Sequence, residues 1–251
     1  MRRNYLLSSS RSILLVIFFA INPMAMVYAS GSVKEYREHF VSGEKKINVE
    51  IFSPAIDGTH PAVLVLHGAG GLLLDEPAMR RFARALADNG FEAFLIHYFD
   101  RTGTIFARGR AIHAGFESWR STVDDAVDYV AGRSDLKRRK IGCFGYSLGA
   151  YLSLAQAARD SRILAVVELA GAIDREHAGL VKRLPPTLIL HGSEDARVPV
   201  QNAYNLEKLA ARLGVTHEIK IYQGEGHVLR SASQADAAAR AVCFFQKHLA
   251  K

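Results

Sequence analysis

Cysteine is nearly missing from this 251-residue chain, which carries two, Cys143 and Cys243. So few thiols exclude a disulfide-built scaffold, and these two lack the paired spacing of a cysteine metal site. Both lie in apolar context, Gly142-Cys143-Phe144 and Val242-Cys243-Phe244-Phe245, and are expected to be buried free thiols. No His, Asp or Glu spacing recommends a metal either, so no metal ligand set is expected. Basic clusters interleaved with aromatics are also lacking. The one basic run, Lys137-Arg138-Arg139-Lys140, reads as a solvated loop, and nucleic acid is excluded as a partner. Internal repeats, low-complexity stretches and linkers are missing too, which argues for one folded unit.

The remaining composition, 49% hydrophobic and 23% charged, is that of an ordinary globular chain. Its N-terminus is the exception. Arg2, Arg3 and Arg11 precede the apolar run Ile13-Leu14-Leu15-Val16-Ile17-Phe18-Phe19-Ala20, and the stretch closes on Val27-Tyr28-Ala29 before Ser30. Positive charge, a short apolar core and small residues at the end describe a signal peptide over residues 1–29, followed by one domain at 30–251. An uncleaved anchor is the competing reading, because weakly apolar residues continue to Tyr28. Export to the periplasm or the medium is expected, without stable membrane insertion after cleavage. The formal charge of +7 would then fall to +4, since three arginines and no acids leave with the segment.

Beyond the leader, residues 33–41 and 46–52 alternate as two strands joined at Ser42-Gly43-Glu44. Residues 62–66 form a continuous apolar run, the pattern of a strand buried on both faces. Further strands are expected at 91–98, from 141 into Ser147, and at 163–169, 186–190 and 218–222. Helical periodicity covers 76–89, 116–131, the residues after Ser147, 200–213 and 233–248. Residues 171–184 are mixed, reading as a short helix or a lid. Strands alternating with helices after an antiparallel start imply the α/β class: a mostly parallel, twisted, eight-stranded sheet with helices on both faces. Ligands of such sheets bind at the carboxyl ends of strands, which directs attention to the loops that follow them.

Ser147 stands out in Gly145-Tyr146-Ser147-Leu148-Gly149, between an apolar strand and a helix-like run. Flanking glycines let strand and helix approach closely, and a serine in that turn projects its hydroxyl beside a helix N-terminus. The pentapeptide alone is weak, because a hydroxyl needs a base and a carboxylate that orients it. Both are available downstream, after later strands. His191-Gly192-Ser193-Glu194-Asp195-Ala196-Arg197-Val198-Pro199 offers Glu194 or Asp195, and Asp195 is favoured because it lies nearer the turn into the next helix. Gly224-Glu225-Gly226-His227 supplies the base, His227. The order nucleophile, acid, histidine on successive strand ends fits a serine triad. His67-Gly68-Ala69-Gly70-Gly71 follows the third strand, and the N–H groups of Ala69 and Leu148 are the candidate oxyanion hole. A phosphate cradle is disfavoured there, since the spacing and lysine of such a loop are absent. His67 and His191 are read as braces of their loops.

On these four motifs the chain resembles the α/β-hydrolase superfamily and, within it, the dienelactone hydrolase family, over roughly residues 45–250. The founding enzymes of that family carry a cysteine where this chain has Ser147, and a glutamate where it has Gly68. Those departures imply an ordinary serine esterase mechanism. The resemblance also places Arg101 and Arg230 near the positions of two arginines that hold a substrate carboxylate, so an anionic substrate group is expected there. The expected function is cleavage of a small-molecule ester or lactone by an acyl-enzyme route that needs no cofactor. Amide or peptide hydrolysis, acyl transfer by the same residues, and a binding protein on a hydrolase scaffold are the alternatives.

Overall fold

A computed structural model describes residues 33–134, 136–173 and 178–249. The expected signal peptide lies outside the described residues, as do residues 174–177 of the mixed segment.

The chain opens on an antiparallel hairpin, β1 (Lys34–Ser42) and β2 (Lys45–Ser53), turning at Gly43 with φ +54°. It continues as β3 (His60–Leu66), α1 (Gly71–Asp88), β4 (Glu92–Ile96), a 3-10 turn at Tyr98–Arg101, α2 (Arg110–Gly132) and β5 (Leu136–Tyr146). Then follow α3 (Leu148–Ala157), β6 (Ile163–Leu169), β7 (Thr187–Gly192), α4 (Gln201–Arg212), β8 (His217–Tyr222) and α5 (Ser231–Leu249). Among the described residues eight strands form one sheet in the order β1-β2-β4-β3-β5-β6-β7-β8. β2 runs antiparallel to β4, and every pairing from β4 across to β8 is parallel. This is the expected α/β architecture.

Helices cover both faces, so the central strands are apolar on both. Val63 and Val65 of β3 point to one side, where they meet Phe82 of α1 and Phe245 of α5. Leu64 and Leu66 point to the other, into a core shared with Trp119 of α2, Leu152 of α3 and Leu206 of α4. The period-two alternation of a strand thus feeds two separate cores from one sequence run.

Three local expectations are corrected. α1 and α2 begin at Gly71 and Arg110 rather than at residues 76 and 116. Their first turns carry exposed residues such as Leu73, Leu74 and His113, so no buried stripe marks them in the sequence. The basic run at 137–140 belongs to β5, not to a loop. There the register against β3 slips, from His60 opposite Leu136 to Ala62 opposite Ile141, so β5 accommodates extra residues beside β3. Both cysteines are free, but Cys243 is exposed. α5 buries Ala241, Val242, Phe244 and Phe245, and the helical repeat turns the intervening position outward.

Phe144 of β5 is fully buried and stacks on Phe82, their ring centroids 4.4 Å apart. Phe144→Ala is expected to lower the unfolding free energy by about 3–5 kcal/mol, read as a lower urea midpoint at unchanged slope.

Candidate active site

β5 ends at Tyr146 and α3 starts at Leu148, which leaves Ser147 alone to make the turn. Its backbone sits at φ 52°, ψ −118°, a sparsely populated region for a residue with a Cβ. The neighbouring glycines show why the turn is this tight. A Cβ on Gly145 would lie 2.3 Å from the carbonyl oxygen of Gly149, and one on Gly149 would lie 2.2 Å from that of Leu66 at the end of β3. The Ser147 N–H is fastened to the Leu169 carbonyl at the end of β6, at 2.9 Å.

The Ser147 hydroxyl lies 2.9 Å from His227 Nε2, and His227 Nδ1 lies 2.7 Å from Asp195 Oδ2. Asp195 is the carboxylate in contact, not Glu194. Its other oxygen accepts the N–H groups of Arg197 at 2.8 Å and Val198 at 2.9 Å, so the loop's own backbone orients it. His191, fully buried, donates Nε2–H to the Val198 carbonyl at 2.7 Å, and burial lowers its pKa. It therefore braces the acid loop as a neutral ring. His67 acts likewise in the first loop: Nδ1–H donates to the Gly68 carbonyl at 2.8 Å, the ring stacks on Tyr98, and burial lowers its pKa to about 3. The N–H groups of Ala69 and Leu148 enter none of the loop and turn hydrogen bonds, and both residues line the same cavity as Ser147 and His227.

Arg101 and Arg230 are not in that cavity, which corrects the expectation drawn for them. Arg101 lies over Gly43 of the β1–β2 turn, with a guanidinium nitrogen 3.4 Å from Ser42 Oγ. The 3-10 turn carries it toward the hairpin edge of the sheet. Arg230 is captured within its own loop, where its backbone N–H and Nε both donate to Glu225 at 2.9 Å. That pair, joined by Ser233 Oγ on the same carboxylate at 2.7 Å, ties the His227 loop to the start of α5.

Several residues of the site had escaped the sequence reading. Tyr146 packs its ring against His227 and donates its hydroxyl to the His227 carbonyl at 3.3 Å. Asp75 of α1 lies over the glycine loop, where a Cβ on Gly68 would come within 2.8 Å of its Oδ2. That oxygen is buried without a hydrogen-bond partner, and burial raises the Asp75 pKa. Arg197 also faces the cavity; its place two residues after the acid was a usable signal. Nothing in the sequence pointed to Asp75, which arrives from a helix. The cavity, about 1330 Å³, is larger than a typical small-ligand pocket. Among the described residues no group of three His, Cys, Asp or Glu side chains is placed to hold a metal ion.

A serine held in a strand-to-helix turn and hydrogen-bonded to a histidine, at the carboxyl rim of this sheet, defines an α/β-hydrolase scaffold. Residues 47–248 match the dienelactone hydrolase family, and the chain belongs to that family. It is similar to the solved dienelactone hydrolase of Anabaena variabilis, with 25% identity and a TM-score of 0.74 over 87% of this chain and 100% of that one. A dienelactone hydrolase-like promiscuous phosphotriesterase from metagenomic libraries shares the fold, with 19% identity and a TM-score of 0.76 over 87% and 99% of the two chains. Among curated proteins, acyl-coenzyme A thioesterase 1 of Rattus norvegicus is 28% identical over 131 residues, 52% of this chain and 28% of that protein. The chain thus spans under a third of the length of the curated relatives it matches.

Glu168 sits beneath the turn, on β6 opposite Gly145, and is fully buried. Its Oε2 accepts the Gly171 N–H at 2.8 Å, Oε1 has no partner, and burial raises the pKa from 4.5 to about 8. The folded state therefore holds a proton that the unfolded state releases between those values. This contribution to stability is complete below 4.5 and is lost as pH rises through about 8. In Glu168→Gln the unfolding free energy is expected to fall less between about pH 5 and about pH 9 than in the parent, measured by denaturant titration at each pH.

Proposed function

We propose that the chain is an exported serine hydrolase that cleaves a carboxylic ester or lactone through an acyl-enzyme, with Ser147 as nucleophile, His227 as base and Asp195 as its orienting acid. The observation that carries the reading is the continuous relay of 2.9 Å and 2.7 Å from hydroxyl to imidazole to carboxylate. Ser147 Oγ forms a bond to the carbonyl carbon while its proton passes to His227 Nε2. The carbonyl π pair moves onto oxygen, which the N–H groups of Ala69 and Leu148 receive. Collapse breaks the carbon–oxygen bond to the leaving group, which departs with the proton held by His227. Water then repeats the sequence on the acyl-enzyme, releases the acid and restores the Ser147 hydroxyl.

Thioester cleavage is a second reading. It is favoured by the two rat relatives named as acyl-coenzyme A thioesterases. The same nucleophile and base serve both, and the leaving group alone differs.

Ser147→Ala and His227→Ala are expected to lower kcat on nitrophenyl esters by at least about a thousandfold while the far-ultraviolet circular dichroism stays that of the parent. A serine-reactive phosphonate is expected to add its mass to the peptide containing Ser147. Turnover retained by Ser147→Ala overturns the assignment. Export rests on the three N-terminal arginines, the apolar run and the small residues before Ser30. Mature protein recovered from the producing cell is expected to begin at Ser30, and an intact N-terminus favours the anchor instead.

A further inference from the structure

The cavity does not stop at the reacting serine. Leu148, Tyr151, Ala155 and Ala158 line it at intervals of three and four residues, so it follows one face of α3 for the helix's whole length. Arg159, just beyond the helix, lines it too. Twelve residues separate Ser147 from Arg159, and at about 1.5 Å per residue the two ends lie roughly 18 Å apart. The opposite wall comes from α2, through Ile112 and Phe116 with His113, and through Glu117 and Arg120 toward the far end. The two helices are joined near the far end, where Arg120 of α2 donates to Gln156 of α3 at 3.2 Å.

That far end carries positive charge. Arg183 donates to the carbonyls of Ala157 and Asp160, which fixes the neighbouring Lys182 at the carboxyl end of α3. Lys182 lines the same cavity as Arg159, and both side chains are exposed. Among the described residues neither makes an ion pair. Among the described residues, Asp160 is engaged by Arg162, and Glu117, which also lines the cavity, is engaged by Arg120. Among the described residues, two cations without an ion pair thus line the cavity at the carboxyl end of α3, and Ser147 lines it at the amino end.

We propose that this passage takes an elongated substrate with its scissile carbonyl at Ser147, an apolar body along α3, and a carboxylate or phosphate roughly 18 Å away at Arg159 and Lys182. The inference rests on the hydrolase reading above and adds the substrate class to it. An apolar body suits the walls, and the exposed apolar residues Leu74, Phe106, Leu180 and Val228 extend the same surface to the cavity's mouth. An anion at the far end forms charge-assisted hydrogen bonds with both cations. The terminal anion belongs either to the acyl chain or to the leaving group, and the chemistry at Arg159 and Lys182 is the same for both.

The test uses matched pairs of esters below their critical micelle concentrations. One pair is the nitrophenyl monoester of a long dicarboxylic acid and the nitrophenyl ester of the monocarboxylic acid of equal length. The other is the acetyl ester of a long ω-hydroxy acid and that of the equally long alkanol, followed by acid release. In each pair the ratio of kcat/KM for the anionic over the neutral ester is compared between the parent and Arg159→Ala/Lys182→Ala. The ratio is expected to fall about tenfold in one pair, mostly through KM, and less in high salt. A fall in the first pair places the anion on the acyl chain, and a fall in the second places it on the leaving group. An unchanged ratio in both pairs overturns the proposal while leaving the hydrolase reading intact. No Ser147-dependent hydrolysis of any of the four esters overturns both.

Discussion

The close approach of the α3 N-terminus to the ends of β3 and β5 is the constraint on which the site depends. Gly145 and Gly149 bring backbone against backbone where any side chain would collide with a carbonyl, and Ser147 is left to span the gap at φ 52°. A strained residue of this kind costs on the order of 1–3 kcal/mol and survives because its surroundings over-determine it. Here the surroundings are the β6 carbonyl of Leu169 behind Ser147 and two buried cores that clamp strand and helix. The strain is coupled to the geometry of the site, because the same turn holds the Ser147 hydroxyl within reach of His227 beside the α3 N-terminus.

Charge in the region is sparingly placed. His67 and His191 are held as neutral rings by burial, and the buried Glu168 is kept protonated through neutral pH. Each would otherwise put a competing charge near the relay. Asp195 differs because two backbone N–H groups and His227 converge on it, so its buried carboxylate is satisfied by donors rather than desolvated alone. The loop that carries His227 is stiffened in the same way, with Glu225 collecting Arg230 and Ser233.

Arginine placement shows how far sequence position can mislead. Arg101 and Arg230 sit at promising places in the linear order, yet each is turned to a partner outside the cavity, Ser42 and Glu225 respectively. Among the described residues, Arg159, Lys182 and Arg197 line the cavity without forming an ion pair, although Arg197 acts electrostatically on Asp75 in the same cavity. Arg101 is held by a hydroxyl 59 positions away and Arg230 by a carboxylate only five positions away, so neither linear spacing nor residue type alone foretells which cation stays with a local partner.

The strand runs and the order of the elements were legible in the sequence because they depend on short-range pattern; Ser147, Asp195 and His227 were legible as candidates because each follows a strand, while their contacts across 80 and 32 positions are made by the fold. Apolar runs mark buried strands, and glycine punctuation marks the turns at their ends. Helix starts were less legible, since the first turns of α1 and α2 bury little. Asp75 over Gly68, the register slip in β5, the captured arginines and the passage along α3 could be seen only in the tertiary structure. Each arises where side chains from separate elements meet, and such meetings depend on crossing geometry and competition among partners, which local pattern does not encode.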